Sequence, residues 1–480
     1  MPTTTQAIVL AAGKSSRFST SSTKLSYTLC GQEMIRYPLN LLRELHLPIT
    51  MVVGYQQDVV RSIVSKYGYH VEFVEQSAQK GTGHALACTQ SSWTHDKLLI
   101  INGDTPLVSQ EQLLLLLERH RVSGATLSLI ASRTNDPEIT GYGRIIKDGV
   151  AVSIVEQRDF TGDPTDKNNQ LLNGGIYLID RSFVEQELPR IPTHGSGEIF
   201  ITDLIHAASA AQKHIEILEI PFTHIRGINT LKELQATEGL LRKKLIEQWM
   251  AQGVRFIAPE SVIVDIDVSI GQDTTIGYGV HLRSGTHIGK KVTIDSFSIL
   301  DGAHIEDEVT VYSHSVISHS LVHEKAFVGP FARIHRQTTI HQEAVVGNFV
   351  ELSKTSLGSL SKAKHLTYLG QAKIGKQVTI GAGTITCNYN GVTKHSTTVE
   401  DNAFIGSNSA LIAPITIGKE AIIAAGSTIT ESVPNQALAI ARQRQVNKPN
   451  YAPLLKSKHR STPEETSSEL LKTHTAPQGS

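Results

Sequence analysis

Cysteine is scarce in this chain, with only Cys30, Cys88 and Cys387 among 480 residues. Three widely spaced thiols exclude a disulfide framework and a cysteine-built zinc site. Charge of one sign is also missing, because 45 basic and 45 acidic residues cancel. No global field therefore draws the protein to nucleic acid or to a membrane surface. No apolar run approaches the roughly 20 residues that span a bilayer. The first residues hold only the short run Ala7 to Ala12 with no basic leader, so no signal peptide is expected. A reducing cytoplasm is the expected compartment. Aromatics are few at 5%, whereas glycine is plentiful at 37 residues. With 40% hydrophobic and 19% charged residues, the composition is that of a soluble globular protein. The length predicts two or three domains.

The first half alternates short apolar runs with amphipathic stretches. Residues 7–10, 50–53, 71–74 and 98–101 read as buried strands, and the stretches around 33–46, 56–67, 83–92 and 109–122 as helices. Such alternation predicts a mostly parallel sheet covered on both faces. Its ligands bind beyond the carboxyl ends of the strands. A first domain over 1–228 is expected. Thr230 to Glu233 fits a capping box that opens a connecting helix, 229–253, ended by Gly253.

Beyond that helix the period becomes six. Val264, Ile270, Ile276, Leu282, Ile288, Ile294 and Leu300 follow one another at that spacing, as do Val322 to Leu352 and Val399 to Ile429. A fixed short period marks a solenoid, each repeat burying its apolar residue against neighbours. Three hexads per triangular turn give about nine coils over 264–429, within a domain over 254–445. Glycines such as Gly271, Gly289, Gly347, Gly375 and Gly406 follow many of the aliphatics and are expected to let the chain bend at corners. The phase slips at 300–322, 352–374 and 380–399, where loops or irregular corners are expected. The Lys-, Pro-, Ser- and Thr-rich segment 446–480 reads as a largely disordered tail.

Several first-half residues suit nucleotide chemistry. Leu10-Ala11-Ala12-Gly13 follows the first strand, and small residues there let a backbone approach a phosphate chain. No P-loop pattern is present. Arg17 and Lys24 offer positive charge. Gly103-Asp104 ends the strand 98–101, and a carboxylate there suits Mg2+. Gln76 and Gly81-Thr82-Gly83 offer partners for a base. Thr140 to Arg144, Glu156 and Asn173 carry polar groups suited to sugar hydroxyls, although each alone also fits an ordinary turn.

The order of these elements, ending in Gly227-Ile228-Asn229, resembles the sugar-nucleotidyltransferase family. With the hexad coil behind it, the whole of residues 6 to about 444 resembles the bifunctional N-acetylglucosamine-1-phosphate uridylyltransferase/glucosamine-1-phosphate acetyltransferase family. The resemblance implies a Rossmann-like α/β nucleotide-binding domain followed by a left-handed parallel β-helix. It implies that Leu10, Ala11, Ala12, Gly13, Gln76, Gly81, Thr82 and Gly103 hold the uridine nucleotide. Arg17 and Lys24 would stabilise the phosphates during transfer, Asp104 and Asn229 would bind Mg2+, and Gly143, Glu156 and Asn173 would hold N-acetylglucosamine-1-phosphate. Ser15, Phe18 and Thr23 depart from the family's usual Gly, Met and Pro.

In the coil, His365-Leu366-Thr367-Tyr368 and Gly381 to Gly391 match the acetyltransferase motifs of that family. By resemblance His365 is the general base that deprotonates glucosamine-1-phosphate, oriented by Glu351, before attack on acetyl-CoA. Tyr368, Asn388 and Tyr389 would position the sugar. Ala382, Ser407, Ala425 and Arg442 would line the acetyl-CoA groove. Lys394 would reach a neighbour's sugar phosphate in a homotrimer. His335 and Ser353 stand where the family has a phosphate-gripping Arg and Lys, with Arg333 and Lys354 as the expected substitutes, and Thr379 replaces a groove Asn. Cys387 lacks an adjacent base and reads as structural. Two alternatives stay open: a uridylyltransferase whose coil is only a trimerisation scaffold, and a transferase for another sugar phosphate.

Overall fold

The computed structural model describes residues 4–460 except Ser19, Asn135, Pro137, Glu138, Thr140, Val150, Pro164, Thr165, Lys167, Asn168 and Ser196. Thr140, singled out with Gly141 to Arg144, thus lies outside the described residues, as does 461–480 of the expected tail. The described part of that tail is not wholly irregular, because Tyr451–Arg460 forms a helix.

The first half is built on β1 (Thr5–Ala11), β2 (Ile49–Val53), β3 (Glu72–Glu75), β4 (Lys97–Asn102), β5 (Leu127–Arg133), β6 (Arg144–Asp148), β7 (Ala151–Val155), β8 (Leu171–Asp180) and β9 (Ile215–Glu219). The main sheet runs β9-β5-β8-β4-β1-β2-β3, with the hairpin β6–β7 joined to β8. Pairing is parallel except at β8, which runs antiparallel to β4 and β5. The continuous apolar runs are explained by cover on both sides. Val9, Leu99 and Ile101 pack into one layer, and Ile8, Leu98 and Ile100 into the other, all fully buried. The covering helices include α1 (Arg36–Glu44), α2 (Gln57–Lys66), α3 (Gly81–Cys88), α4 (Gln110–Ser123) and α5 (Asp203–Ala210).

The connecting helix α6 spans Leu231–Ala251. Thr230 accepts from the Glu233 amide at 3.2 Å, as a capping residue should. The Glu233 carboxylate, however, takes the amide of Asn229 at 2.7 Å, one residue earlier than in a standard capping box. The helix start therefore fixes Asn229. Gly253 takes φ +89°, and the chain then enters the coil.

The coil is a left-handed parallel β-helix with three faces of short stacked strands; one face is nine strands deep among the described residues. Each strand pairs with the strand three hexads on, for example Thr275 with Thr293 and His281 with Ile299. The inward residues of the hexads are buried, and Ile276, Leu282, Ile288, Ile294 and Leu300 have no exposed surface. Each such aliphatic contributes roughly 1.5–3 kcal/mol by leaving water.

The first two phase slips hold irregular corners, one of the two forms expected there. Leu300 and Ile305 are both fully buried five residues apart, as are Ile317 and Val322, and Leu352 and Leu357; buried Leu369 and Ile374 keep the same spacing, so two corners in each slip are one residue shorter. Register follows, with Ile299 opposite Val316 and Glu351 opposite Tyr368. Only the third slip holds an insertion, since Thr379 pairs with Phe404. The expectation that the glycines after the aliphatics bend the chain needs correction for most of them. Gly271, Gly289, Gly347, Gly375 and Gly406 stay outside the left-handed region, whereas Gly329 takes φ +99°, and many left-handed corners fall on residues such as Asp273, Lys291 and Glu308. Those corners place an amide against the preceding coil, as Lys291 N does on Gln272 O at 3.0 Å. The bond offsets the roughly 1–2 kcal/mol that a left-handed residue costs. The glycines instead permit close stacking: a Cβ on Gly271 would lie 2.5 Å from the Gly289 carbonyl carbon.

Candidate active sites

A cleft of about 720 Å³ opens at the carboxyl ends of β1 and β4. Leu10, Ala11, Ala12, Gly13, Arg17, Lys24, Gln76, Gly81, Thr82, Asp104, Gly143, Glu156, Asn173 and Asn229 all line it. Gly103 stands behind the wall: its amide donates to Leu10 O at 3.0 Å, and a Cβ there would meet Ile35 at 2.9 Å. Its part is to let β1, β4 and α1 close up.

The loop after β1 carries the strain that Ser15 brings. Ser15 sits at φ +55°, a conformation glycine takes without cost. Its hydroxyl accepts from Lys24 N at 3.3 Å, which ties the loop to the lysine turn. Thr23 holds φ −62°, the torsion a proline would impose. Phe18 is buried edge-on against Tyr27, with centroids 4.9 Å apart. The three departures thus keep the loop's course.

Charge gathers at one point of the cleft. Lys24 Nζ donates to Asp104 Oδ2 and, at 2.8 Å, to Asn229 Oδ1. Arg17 donates to the same Asn229 oxygen at 3.1 Å. Both cations thus meet on the Asn229 carboxamide, and Lys24 also takes the Asp104 carboxylate, with the groups drawn from the first loop, the end of β4 and the start of α6. Hard oxygen donors converging there fit Mg2+, which keeps several waters and takes few protein ligands. Among the described residues no group of three or more His, Cys, Asp or Glu gathers into a different metal site.

At the other end of the cleft Glu156 accepts from the Thr202 hydroxyl at 2.9 Å. Burial raises its carboxyl above the usual range, and the Thr202 bond opposes that shift. Asn173 donates to Tyr177 Oη at 2.6 Å, held at a register shift in β8 that lies between these two residues. Gln76 Nε2 meets Gly81 O at 3.0 Å and His84 Nδ1 at 2.9 Å. Sequence reasoning missed Thr202, Tyr177 and Gln79, which line the cleft together with Tyr142 of the Thr140 to Arg144 motif. Tyr142 Oη accepts from the Gly227 amide at 2.9 Å, and burial pushes its pKa up to about 12. The Gly141-Tyr142-Gly143 spacing held the only clue to it.

The coil residues assemble differently, as rows along the outside. Arg333, Glu351 and Tyr368 stand in register on three successive strands, and His335, Ser353 and Gly370 form the adjacent row. Glu351 is bonded to His335 Nε2 at 2.9 Å, whereas His365 lies opposite Asn348. The partner that the structure gives the Glu351 carboxylate is thus His335, not His365. The backbone of Lys354 donates to His335 O at 3.4 Å. A Cβ on Gly370 would meet Tyr368 Oη at 2.5 Å and Asn388 Nδ2 at 2.9 Å, so these two side chains converge over that glycine. The inserted segment folds back on itself, with Tyr389 bridged to Lys394 and His395 N donating to Asn388 O at 2.8 Å. Ala382, Ser407, Ala425 and Arg442 follow one corner down successive coils. Ala382 O accepts from Asn408 N, Ser407 O from Gly426 N, and a Cβ on Gly426 would lie 3.7 Å from the Arg442 side chain.

Comparison with known proteins agrees with both halves. A family model for the MobA-like NTP transferase domain matches residues 7–160, and one for the hexapeptide repeat of succinyl-transferase matches 267–296 and 396–431. The bifunctional protein GlmU of Geotalea daltonii is 38% identical over 452 residues, covering 93% of this chain and 98% of that protein. That of Thermosipho melanesiensis is 38% identical over 464 residues, covering 92% and 96%. That of Shouchella clausii is 36% identical over 452 residues, covering 93% and 98%. A nucleotidyltransferase cleft and a hexapeptide coil joined in one chain, matched end to end by these relatives, place the chain in the family of bifunctional GlmU proteins, uridylyltransferases and acetyltransferases in one.

Proposed function

We propose that the chain makes UDP-N-acetylglucosamine in two steps at two separate sites, with UTP, acetyl-CoA and Mg2+. The observation that carries the reading is the meeting of Lys24, Arg17, Asp104 and Asn229 in one cleft. In the uridylyl step a phosphate oxygen of N-acetylglucosamine-1-phosphate attacks the α-phosphorus of UTP, and the bond to pyrophosphate breaks. No covalent nucleophile is needed, only positioning and charge neutralisation. Asp104 and Asn229 would hold Mg2+, which would supply charge neutralisation to the phosphates when bound. Lys24 and Arg17 stabilise the charge that develops on the transferred group. The Leu10–Gly13 loop, Gln76, Gly81 and Thr82 hold the nucleotide. Gly143, Glu156 and Asn173 hold the sugar, with Thr202 and Tyr177 orienting the two polar side chains.

In the acetyl step His365 takes a proton from the amine of glucosamine-1-phosphate. The amine attacks the thioester and coenzyme A leaves as thiolate. Tyr368, Asn388 and Tyr389 position the sugar, and Arg333 and Lys354 grip its phosphate. Glu351, tied to His335, shapes that subsite. Ala382, Ser407, Ala425 and Arg442 line the acetyl-CoA groove. Lys394 completes the site of a neighbour in a homotrimer. A stacked corner row supports that assembly: Phe297, His314, Phe331 and Phe349 lie ring on ring about 5 Å apart and end at exposed Leu366 beside His365. No helix among the described residues is long and apolar enough to cross a membrane. The cytoplasm is the proposed compartment because UTP and acetyl-CoA are made available there.

His335 and Ser353 favour a second reading, in which the coil is a trimerisation scaffold without acetyl transfer. The uridylyl reading is tested by Asp104→Ala, which should cut pyrophosphate release at least about 10³-fold. Near-normal turnover would remove Asp104 from the mechanism.

A further inference from the structure

The ammonium of Lys24 rests on the same two side-chain oxygens that the proposed function gives to the metal. It donates to Asp104 Oδ2 and to Asn229 Oδ1, while Arg17 adds a second donor to Asn229. Both members of the Lys24–Asp104 pair are largely buried, with side-chain exposures of 14% and 18%. An ammonium offers donors and no acceptor, so it cannot share a metal's coordination shell. A divalent cation entering beside it also meets an uncompensated positive charge that water screens poorly. The lysine and the metal are therefore exclusive occupants of one place.

We propose that Lys24 is a built-in competitor of the divalent cation. It holds Asp104 and Asn229 in the free enzyme against all but high metal concentrations, and surrenders them readily when a nucleotide's phosphates draw it and Arg17 away. This rests on the reading of Asp104 and Asn229 as metal ligands and goes beyond it, because it predicts how metal and nucleotide binding are coupled. A triphosphate gives both cations a better anionic partner, and their departure bares the oxygens. Metal and nucleotide then favour each other beyond any direct metal–phosphate bond. The coupling is reciprocal, as linkage requires. The free protein takes metal poorly, which restrains metal-dependent chemistry before the nucleotide is seated.

The test uses the full chain and Mn2+ as the spectroscopic probe, titrated without nucleotide and followed by electron paramagnetic resonance. Lys24→Met should bind Mn2+ at least about tenfold more tightly than the unaltered chain, within the usual range of such couplings. Arg17→Met, which leaves Asn229 still held by Lys24, should tighten binding by a smaller factor. A Lys24→Met affinity within twofold of the unaltered chain, or weaker, overturns the proposal. Asp104→Asn separates the two claims: it should abolish the Mn2+ signal at this site. If Asp104→Asn binds Mn2+ normally, the metal assignment itself fails. If it abolishes binding while Lys24→Met changes nothing, only the competition fails. A second readout needs no variant: Mn2+ alone should raise the rate at which an amine-reactive acetylating reagent labels Lys24, measured by mass spectrometry. Unchanged labelling at saturating Mn2+ contradicts the exchange.

Discussion

The two halves solve the problem of building a site in opposite ways. The α/β half turns strand ends and loops inward around a cleft of about 720 Å³, so one chain supplies both walls. The coil's candidate residues stand mostly along its outside, in rows set by strand register. His365 is exposed, as are Tyr389 and Arg442. A concave site can be completed by its own chain, whereas a row along the outside of a solenoid needs a second surface to exclude water. Trimerisation is therefore part of the chemistry in one half and incidental in the other.

The sharpest way to break this comparison is to disable one site and watch the other. His365→Ala should lower release of coenzyme A thiol about 10²–10⁴-fold while pyrophosphate release stays normal. A parallel loss in both assays would show that the halves are not independent. Next in size is the phosphate grip. Arg333→Ala removes a charge-assisted contact worth about 1.5–3 kcal/mol, so KM for glucosamine-1-phosphate should rise roughly 10- to 150-fold with a smaller change in kcat. An unchanged KM would leave the row Arg333–Glu351–Tyr368 without a role in that grip.

The coil also differs in how it fails. Ile317 is fully buried between coils, and Ile317→Ala should cost about 2–5 kcal/mol, read as earlier unfolding in denaturant. Because each coil rests only on its neighbours, the acetyl assay should lose heat resistance before the uridylyl assay. The smallest expected effect is on pH. Burial, with help from His287 and His323, lowers the pKa of His304, and burial likewise lowers that of His341. A histidine lowered on folding takes up its proton more readily when unfolded. Stability therefore falls as pH drops through the ordinary value of 6.5. The midpoint of thermal unfolding should be slightly lower at pH 5.5 than at pH 7.5, and a rise over that range would reverse the sign.

Much of this was legible in the sequence because single residues carried the periodicity. Leu98 to Ile101 could only be a strand covered twice, and the hexads from Val264 to Leu300 left one architecture. Where a pattern had two physical causes, the sequence did not choose between them. Glycine after an aliphatic suits a sharp corner and a close contact equally, and the close contact proved to be the role of most of them. The first two phase slips likewise fitted a loop or an irregular corner, and each proved to hold two corners shortened by one residue. In the cleft, Lys24, Asp104 and Asn229 were found from their motifs. Thr202 and Tyr177 were not, because nothing in their local sequence marks which side chain will face Glu156 or Asn173. The His335–Glu351 bond was hidden too, since it joins residues on successive coils.

The central claim is that both halves are enzymes. It is tested most directly on one preparation of the full chain, given acetyl-CoA and glucosamine-1-phosphate while free thiol is measured. Release of thiol, lost in His365→Ala and retained in Asp104→Ala, is the predicted result. No thiol from a preparation that still releases pyrophosphate from UTP and N-acetylglucosamine-1-phosphate would contradict it and leave the coil a scaffold.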